Sequence, residues 1–142
     1  MIERGYIDAC ILASYYCPEL ISDDAEKLLL SVRQPVISLL TEIELFAVVS
    51  KKIRKKELTK RNAQQIIENY NTHIKEGFYH KISVKTEHYL DSRNILSSLN
   101  CSLHTLDTLH LAITISEKIP LITADKKFAK VAKKMQLEVI CL

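Results

Sequence analysis

The sequence predicts an α/β fold, a three-layer sandwich in which a mostly parallel five-stranded sheet is flanked by helices on both faces. Three observations carry this. Five short stretches rich in Ile and Val alternate with longer stretches of helical periodicity, and helical crossovers between strands impose parallel pairing. The chain has 142 residues, 47% of them hydrophobic and 26% charged, which is enough to bury a core and reads as one domain over residues 1–142. With two Gly and three Pro in the whole chain, no linker, low-complexity tract or internal repeat divides it.

Taken in order, GYID (5–8) suits a short strand through its Tyr and Ile. ACILASYY continues as a helix that must stop by Cys17, because Pro18 disfavours helical backbone at the residue before it. Residues 22–33 open on Ser and Asp and place Ala25, Leu28, Leu29 and Val32 at helical spacing. PVIS (35–38) reads as a buried strand and is followed by a long helix from Leu39. Thr59 caps the next helix, which ends at Gly77. HKISV (80–84) alternates like a strand, and Thr86 is expected to cap the helix after it. Residues 106–118 are apolar nearly all round, as in a buried helix. PLIT (120–123) is a strand, DKKFAKVAKKMQ a helix, and LEVICL (137–142) a closing strand.

Several function classes are excluded by what the chain lacks. The apolar stretches fall far short of the roughly 20 residues that a membrane span needs, and the beginning MIERGYID carries no secretory leader pattern. A cytoplasmic protein with no membrane partner is expected. Cys10, Cys17, Cys101 and Cys141 form no C-x-x-C pair. A separation of seven places Cys10 and Cys17 on one helix face; buried reduced thiols are the simpler reading of them than a metal or disulfide pair. There is no Gly-rich phosphate loop and no H-E-x-x-H or G-x-S-x-G motif. The net charge of +3 is modest but unevenly spread. Lys51, Lys52, Arg54, Lys55, Lys56, Lys60 and Arg61 form one basic run, and Lys126, Lys127, Lys130, Lys133 and Lys134 another. Such runs are commonly solvated helix faces; two of them in a small domain also suit a polyanion.

The acids are more informative. Ligands of parallel α/β sheets bind beyond the carboxyl ends of the strands, near the switch in strand order. Asp8 ends the first expected strand and Asp125 follows the fourth. Asp107 lies in the first turn of the apolar helix, and Glu44 or Glu42 lies early in the helix after PVIS. Carboxylates crowded together repel one another unless cations compensate them, and hard divalent ions prefer oxygen ligands. Each acid also has a purely structural reading. Asp8 and Asp125 suit helix N-caps, and Glu44 suits a capping box with Thr41. His110, one turn after Asp107, is read first as a core histidine that orients its neighbour, with a D-x-x-H metal pair as the alternative.

The blocks YIDACILASYY, SLLTEIELFAVVSKK, LDTLHLAIT and LITADKKFAKVA resemble, in order and spacing, those of the PIN-domain family, over essentially the whole chain. The likeness is greatest to the VapC-type toxins of toxin–antitoxin pairs. This resemblance implies a PIN-like sandwich and a metal-dependent endoribonuclease acting on tRNA or another structured RNA, with one or two Mg²⁺ or Mn²⁺ ions. It implies a site of Asp8, Glu44, Asp107 and Asp125, with Thr123 as an accessory hydroxyl. Glu44 rather than Glu42 fits the family pattern. Lys51, Lys52, Arg54, Lys55 and Lys56 would bind RNA phosphates, a cognate antitoxin would hold the enzyme inactive, and the chain would form a homodimer. One departure stands out: Ala9 and Cys10 follow Asp8 where relatives carry small hydroxyl or amide residues. That departure supports an alternative, a catalytically silent module that binds RNA or a protein partner. A phosphatase of the haloacid type ranks lower, because Cys10 occupies the place of its second acid.

Overall fold

A computed structural model describes residues 1–18 and 21–142. The chain runs β1 (Ile2–Ile7), α1 (Ala9–Tyr16), α2 (Ser22–Leu30), β2 (Val32–Ser38), α3 (Leu39–Arg54), α4 (Lys60–Lys75), β3 (His80–Ile82), α5 (Thr86–Ser97), α6 (Thr105–Glu117), β4 (Leu121–Thr123), α7 (Lys126–Lys134) and β5 (Val139–Cys141). Every strand pair is parallel, in the order β3-β2-β1-β4-β5. The chain winds outward from β1 through β2 to β3, then crosses back to β4 on the other side of β1. The switch point therefore lies between the carboxyl ends of β1 and β4.

Strand alternation divides the core in two. Ile7, Ile37 and Ile122 face one side, where Ile11, Leu12, Leu29, Leu45 and Tyr70 from α1 to α4 cover them. Their neighbours Tyr6, Val36 and Leu121 face the other, under Leu109, Leu111 and Ile113 of α6 and Phe128 of α7. Adjacent strand residues thus go to opposite layers, as a period of two requires. Gly5 makes room between β1 and β4: a Cβ built there would collide with Ile122 Cδ1.

Local chemistry sets the helix ends, with some departures from expectation. Thr59 accepts a hydrogen bond from Asn62 N–H and caps α4. At the other end Gly77 adopts φ 74°, and Gly77 N–H and Phe78 N–H close on the carbonyls of Ile74 and His73, the pairing of a Schellman motif. Thr86 does not cap α5; Lys85 holds the N-cap position, and its backbone N–H is taken by His88 Nδ1 at 2.9 Å. The strand expected at 35–38 starts earlier, at Val32, and α2 correspondingly stops at Leu30, because Ile2 of β1 offers Val32 a parallel partner that outweighs one more helical turn. All four cysteines are reduced, so no Cys10–Cys17 disulfide forms.

Candidate active site

Three of the four predicted acids sit at or just past N-caps along the carboxyl edge of the sheet, yet only one uses its side chain as a cap. Asp8 follows β1 and occupies the N-cap position of α1 without any cap bond from its side chain. Its Oδ2 instead accepts from Thr123 Oγ1 at 2.7 Å and from Cys10 Sγ at 3.3 Å. Thr123 in turn accepts the backbone N–H of Asp125 at 3.0 Å. One hydroxyl at the end of β4 thereby joins both acids of the switch point. Asp125 is a true cap: its Oδ1 accepts Phe128 N–H at 3.1 Å, leaving its second oxygen uncommitted to that bond.

The thiol of Cys10 takes up part of the role of the missing hydroxyl. It donates to Asp8, accepts Ala124 N–H at 3.3 Å and lies 3.5 Å from Thr123 Oγ1. Burial, followed by the charge of Asp8, pushes its pKa up to about 12, so the sulfur keeps its proton and acts as a donor at neutral pH. The Ala9-Cys10 departure therefore leaves Asp8 with two donors.

Glu44 is placed by α3. The capping box of this helix joins Ser38 and Thr41, not Thr41 and Glu44. Glu44 turns to α6, where its Oε1 pairs with His110 Nε2. The neighbouring Glu42 points elsewhere and accepts from Tyr70 OH and Lys81 Nζ, each at 2.9 Å. Two residues along a helix differ by about 200° in direction, so only one of this pair can face the acids. His110 has no exposed surface. Its other nitrogen, Nδ1, lies 2.6 Å from the hydroxyl of Tyr6, itself bonded to Ser38 Oγ at 2.8 Å.

Asp107 stands in the first turn of α6. Burial raises its pKa first, then the charge of Asp8, then that of Asp125, with Glu44 contributing and His110 opposing. Asp107 is thus within electrostatic reach of the other three carboxylates. Asp107 and Asp125 line a cleft of about 200 Å³ with His104 and Lys127. One ligand atom each from Asp8, Glu44 and His110 fall within 4.8 Å of one another. Carboxylate oxygens at this density are the donor set that hard divalent cations take. His110, engaged by protein at both nitrogens, is better placed to hold Glu44 than to bind a cation directly.

The predicted RNA-binding residues lie apart from the acids. Lys51 and Arg54 are seven and ten residues beyond Glu44 on α3, about 10 and 15 Å along the axis, and Lys55 and Lys56 follow its end. Lys52 pairs with Glu57, and Arg54 bonds Ser50. The cationic side chain beside the cleft is Lys127, from the second basic run. Sequence reasoning missed Tyr6, Ser38 and Thr41 as site-supporting groups. The D-x-x-H spacing of His110 was the one available signal.

The PIN domain family model matches residues 5–134, and the chain belongs to the PIN-domain family, a family of nucleases. Its fold is that of VapC toxin structures. FitAcB from Neisseria gonorrhoeae is similar at a TM-score of 0.73 with 14% identity, over 96% of each chain. VapC20 of Mycobacterium tuberculosis, described as a sarcin–ricin loop cleaving toxin, is similar at 0.69 with 13% identity, over 89% of this chain and 93% of that one. VapBC2 from Rickettsia felis, bound to a promoter DNA fragment, is similar at 0.68 with 18% identity, over 98% of each. No curated protein matches the chain in sequence. Among the described residues, no helix is long and apolar enough to cross a membrane.

Proposed function

We propose that residues 1–142 act as a single metal-dependent endoribonuclease domain, the toxin of a VapBC-type pair. The observation that carries this reading is the grouping of Asp8 and Glu44 with His110 within 4.8 Å. The cleft that Asp107 and Asp125 share supports it, as does the pKa of Asp107, raised first by burial and then by the charges of Asp8, Asp125 and Glu44. The four acids would hold one or two Mg²⁺ or Mn²⁺ ions. Such an ion, when bound, supplies an acidified water and stabilises charge on a phosphoryl group. The chain's own residues provide the frame. Thr123 and Cys10 fix Asp8 through Oδ2, Thr123 fixes the backbone of Asp125, and His110 aims Glu44.

RNA is the proposed substrate. Lys127, which lines the cleft with Asp107 and Asp125, would meet a phosphate of the bound strand. The basic run at the far end of α3 would meet the same strand, or a structured RNA such as tRNA, at a second point. Such contacts position a backbone without reading its sequence. A cognate antitoxin and a homodimeric state are part of the same reading. The amphipathic helices α2 and α4 spend their apolar faces on the core through Ala25, Leu29, Ala63, Ile66 and Tyr70. Exposed apolar side chains remain instead at Leu39, Ile43, Tyr89 and Leu106; Tyr89 and Leu106 share one groove with Leu40 and Leu96, which supports a protein partner there.

Incubation of the purified protein with total RNA, with and without Mn²⁺, followed by mapping of new ends, tests the reading. Specific metal-dependent ends are expected. Their absence, together with no thermal shift at millimolar Mg²⁺ or Mn²⁺, would refute the nuclease and favour the silent binding module.

A further inference from the structure

Tyr6, Ser38, Thr41 and His110 are all without exposed surface, and their polar atoms form one chain. Tyr6 OH lies 2.6 Å from His110 Nδ1, 2.8 Å from Ser38 Oγ and 3.3 Å from Thr41 Oγ1. His110 Nε2 then meets Glu44. The chain closes on itself, because Ser38 caps the helix that carries Glu44. It ties β1, α3 and α6 together through groups separated by up to 104 positions in sequence.

Proton accounting fixes the direction. An ionised carboxylate only accepts, so His110 Nε2 carries the hydrogen toward Glu44. In the neutral ring Nδ1 is then an acceptor and requires a donor. A tyrosine hydroxyl keeps its proton at neutral pH, and that of Tyr6 lies within hydrogen-bond distance of Nδ1. Tyr6 O–H therefore donates to Nδ1, and the Ser38 and Thr41 hydroxyls are available to donate to Tyr6. A buried imidazole locked in one tautomer and one orientation holds the carboxylate it faces in one orientation as well.

We infer that Tyr6 is a positioning residue for Glu44, acting through His110: its hydroxyl fixes the imidazole tautomer that aims the Glu44 carboxylate at the other three acids. The consequence for metal binding rests on the nuclease reading above, but the tautomer does not.

The test uses full-length, metal-free protein labelled with ¹⁵N in histidine, and two variants. Tyr6→Phe removes the hydroxyl and keeps the ring. Tyr16→Phe is the matched control, because Tyr16 OH also lies 2.6 Å from a histidine nitrogen, Nδ1 of His73, at the opposite end of α1 from Asp8. In the wild type the His110 ring signals should report the Nε2–H form. Tyr6→Phe should convert them to a tautomer mixture and weaken Mn²⁺ binding, followed by calorimetry, about tenfold, the lower end for loss of an outer-shell partner. Tyr16→Phe should alter neither. A wild-type ring in any other form, unchanged His110 signals in Tyr6→Phe, or equal loss of Mn²⁺ affinity in both variants would overturn the inference. Wild-type protein that neither cuts RNA nor binds Mn²⁺ would refute the nuclease reading, while the ring signals would still decide the role of Tyr6.

Discussion

Replacing Thr123 with Val removes one oxygen from the centre of the acid cluster and little else. Thr123 is fully buried. Its hydroxyl donates to Asp8 Oδ2 at 2.7 Å and accepts Asp125 N–H at 3.0 Å. A hydrogen bond to a charged group contributes about 1.5–3 kcal/mol, and leaving a partly buried N–H unpaired costs about 1 kcal/mol. The loss should total roughly 2–4 kcal/mol. Thr123→Ser is the control: it keeps the oxygen and deletes one buried methyl, for about 1 kcal/mol. Urea unfolding in EDTA measures both. With a slope of about 2 kcal/mol per molar, the Val variant should lower the midpoint by about 1–2 M, and the Ser variant by about half a molar. A Val variant as stable as the Ser variant, or more so, would show that the hydroxyl does not hold Asp8 and that the assigned hydrogen bonds are wrong.

Asp8→Asn and Asp107→Asn should each abolish RNA cleavage, read by end mapping, without lowering metal-free stability. Burial and the charge of Asp8 raise the folded-state pKa of Asp107, so folding favours its protonated form. The stability this gives is present below the unfolded-state pKa and lost as pH rises through the folded-state value; thermal melts across that window should flatten in Asp107→Asn. Glu42→Gln should leave cleavage intact, because Glu42 bonds Tyr70 and Lys81 rather than the other acids; loss of turnover with unchanged stability would contradict this. Divalent metal at 100 times its dissociation constant should stabilise the fold by about 2.7 kcal/mol, and the same titration on Asp8→Asn should show far less. Gly5→Ala should destabilise by about 1–3 kcal/mol through overpacking against Ile122, measurable as a lower unfolding midpoint.

Much of this architecture could be read before folding. Strands and helices followed from periodicity, and the acids stood out because they fell at element junctions, where a parallel sheet gathers its loops. What failed was local and instructive. Thr41 and Glu44 satisfy a capping pattern on paper, but Ser38 and Thr41 complete the box between themselves, leaving Glu44 to a histidine 66 positions away. The lysines after Val49 suggested a substrate contact, but their spacing from the acids, about 10 to 15 Å along α3 from Glu44 to Lys51 and Arg54, had to wait for the helix. Tyr6 read only as a strand former, since a hydroxyl that bonds across three elements leaves no period in the sequence.

By itself, the order of residues determined that this chain builds a parallel sheet with helices on both faces and brings acidic residues to its carboxyl edge, because hydrophobic periodicity and chain connectivity are local properties. Only the tertiary structure decided that Asp8 is held by Thr123 and Cys10, that Glu44 and not Glu42 turns to His110, and that Asp107 feels its three neighbours. Electrostatic repulsion and hydrogen bonding depend on separations of a few ångströms, and those distances come into being when the two cores pack against β1 and close the gap between β1 and β4.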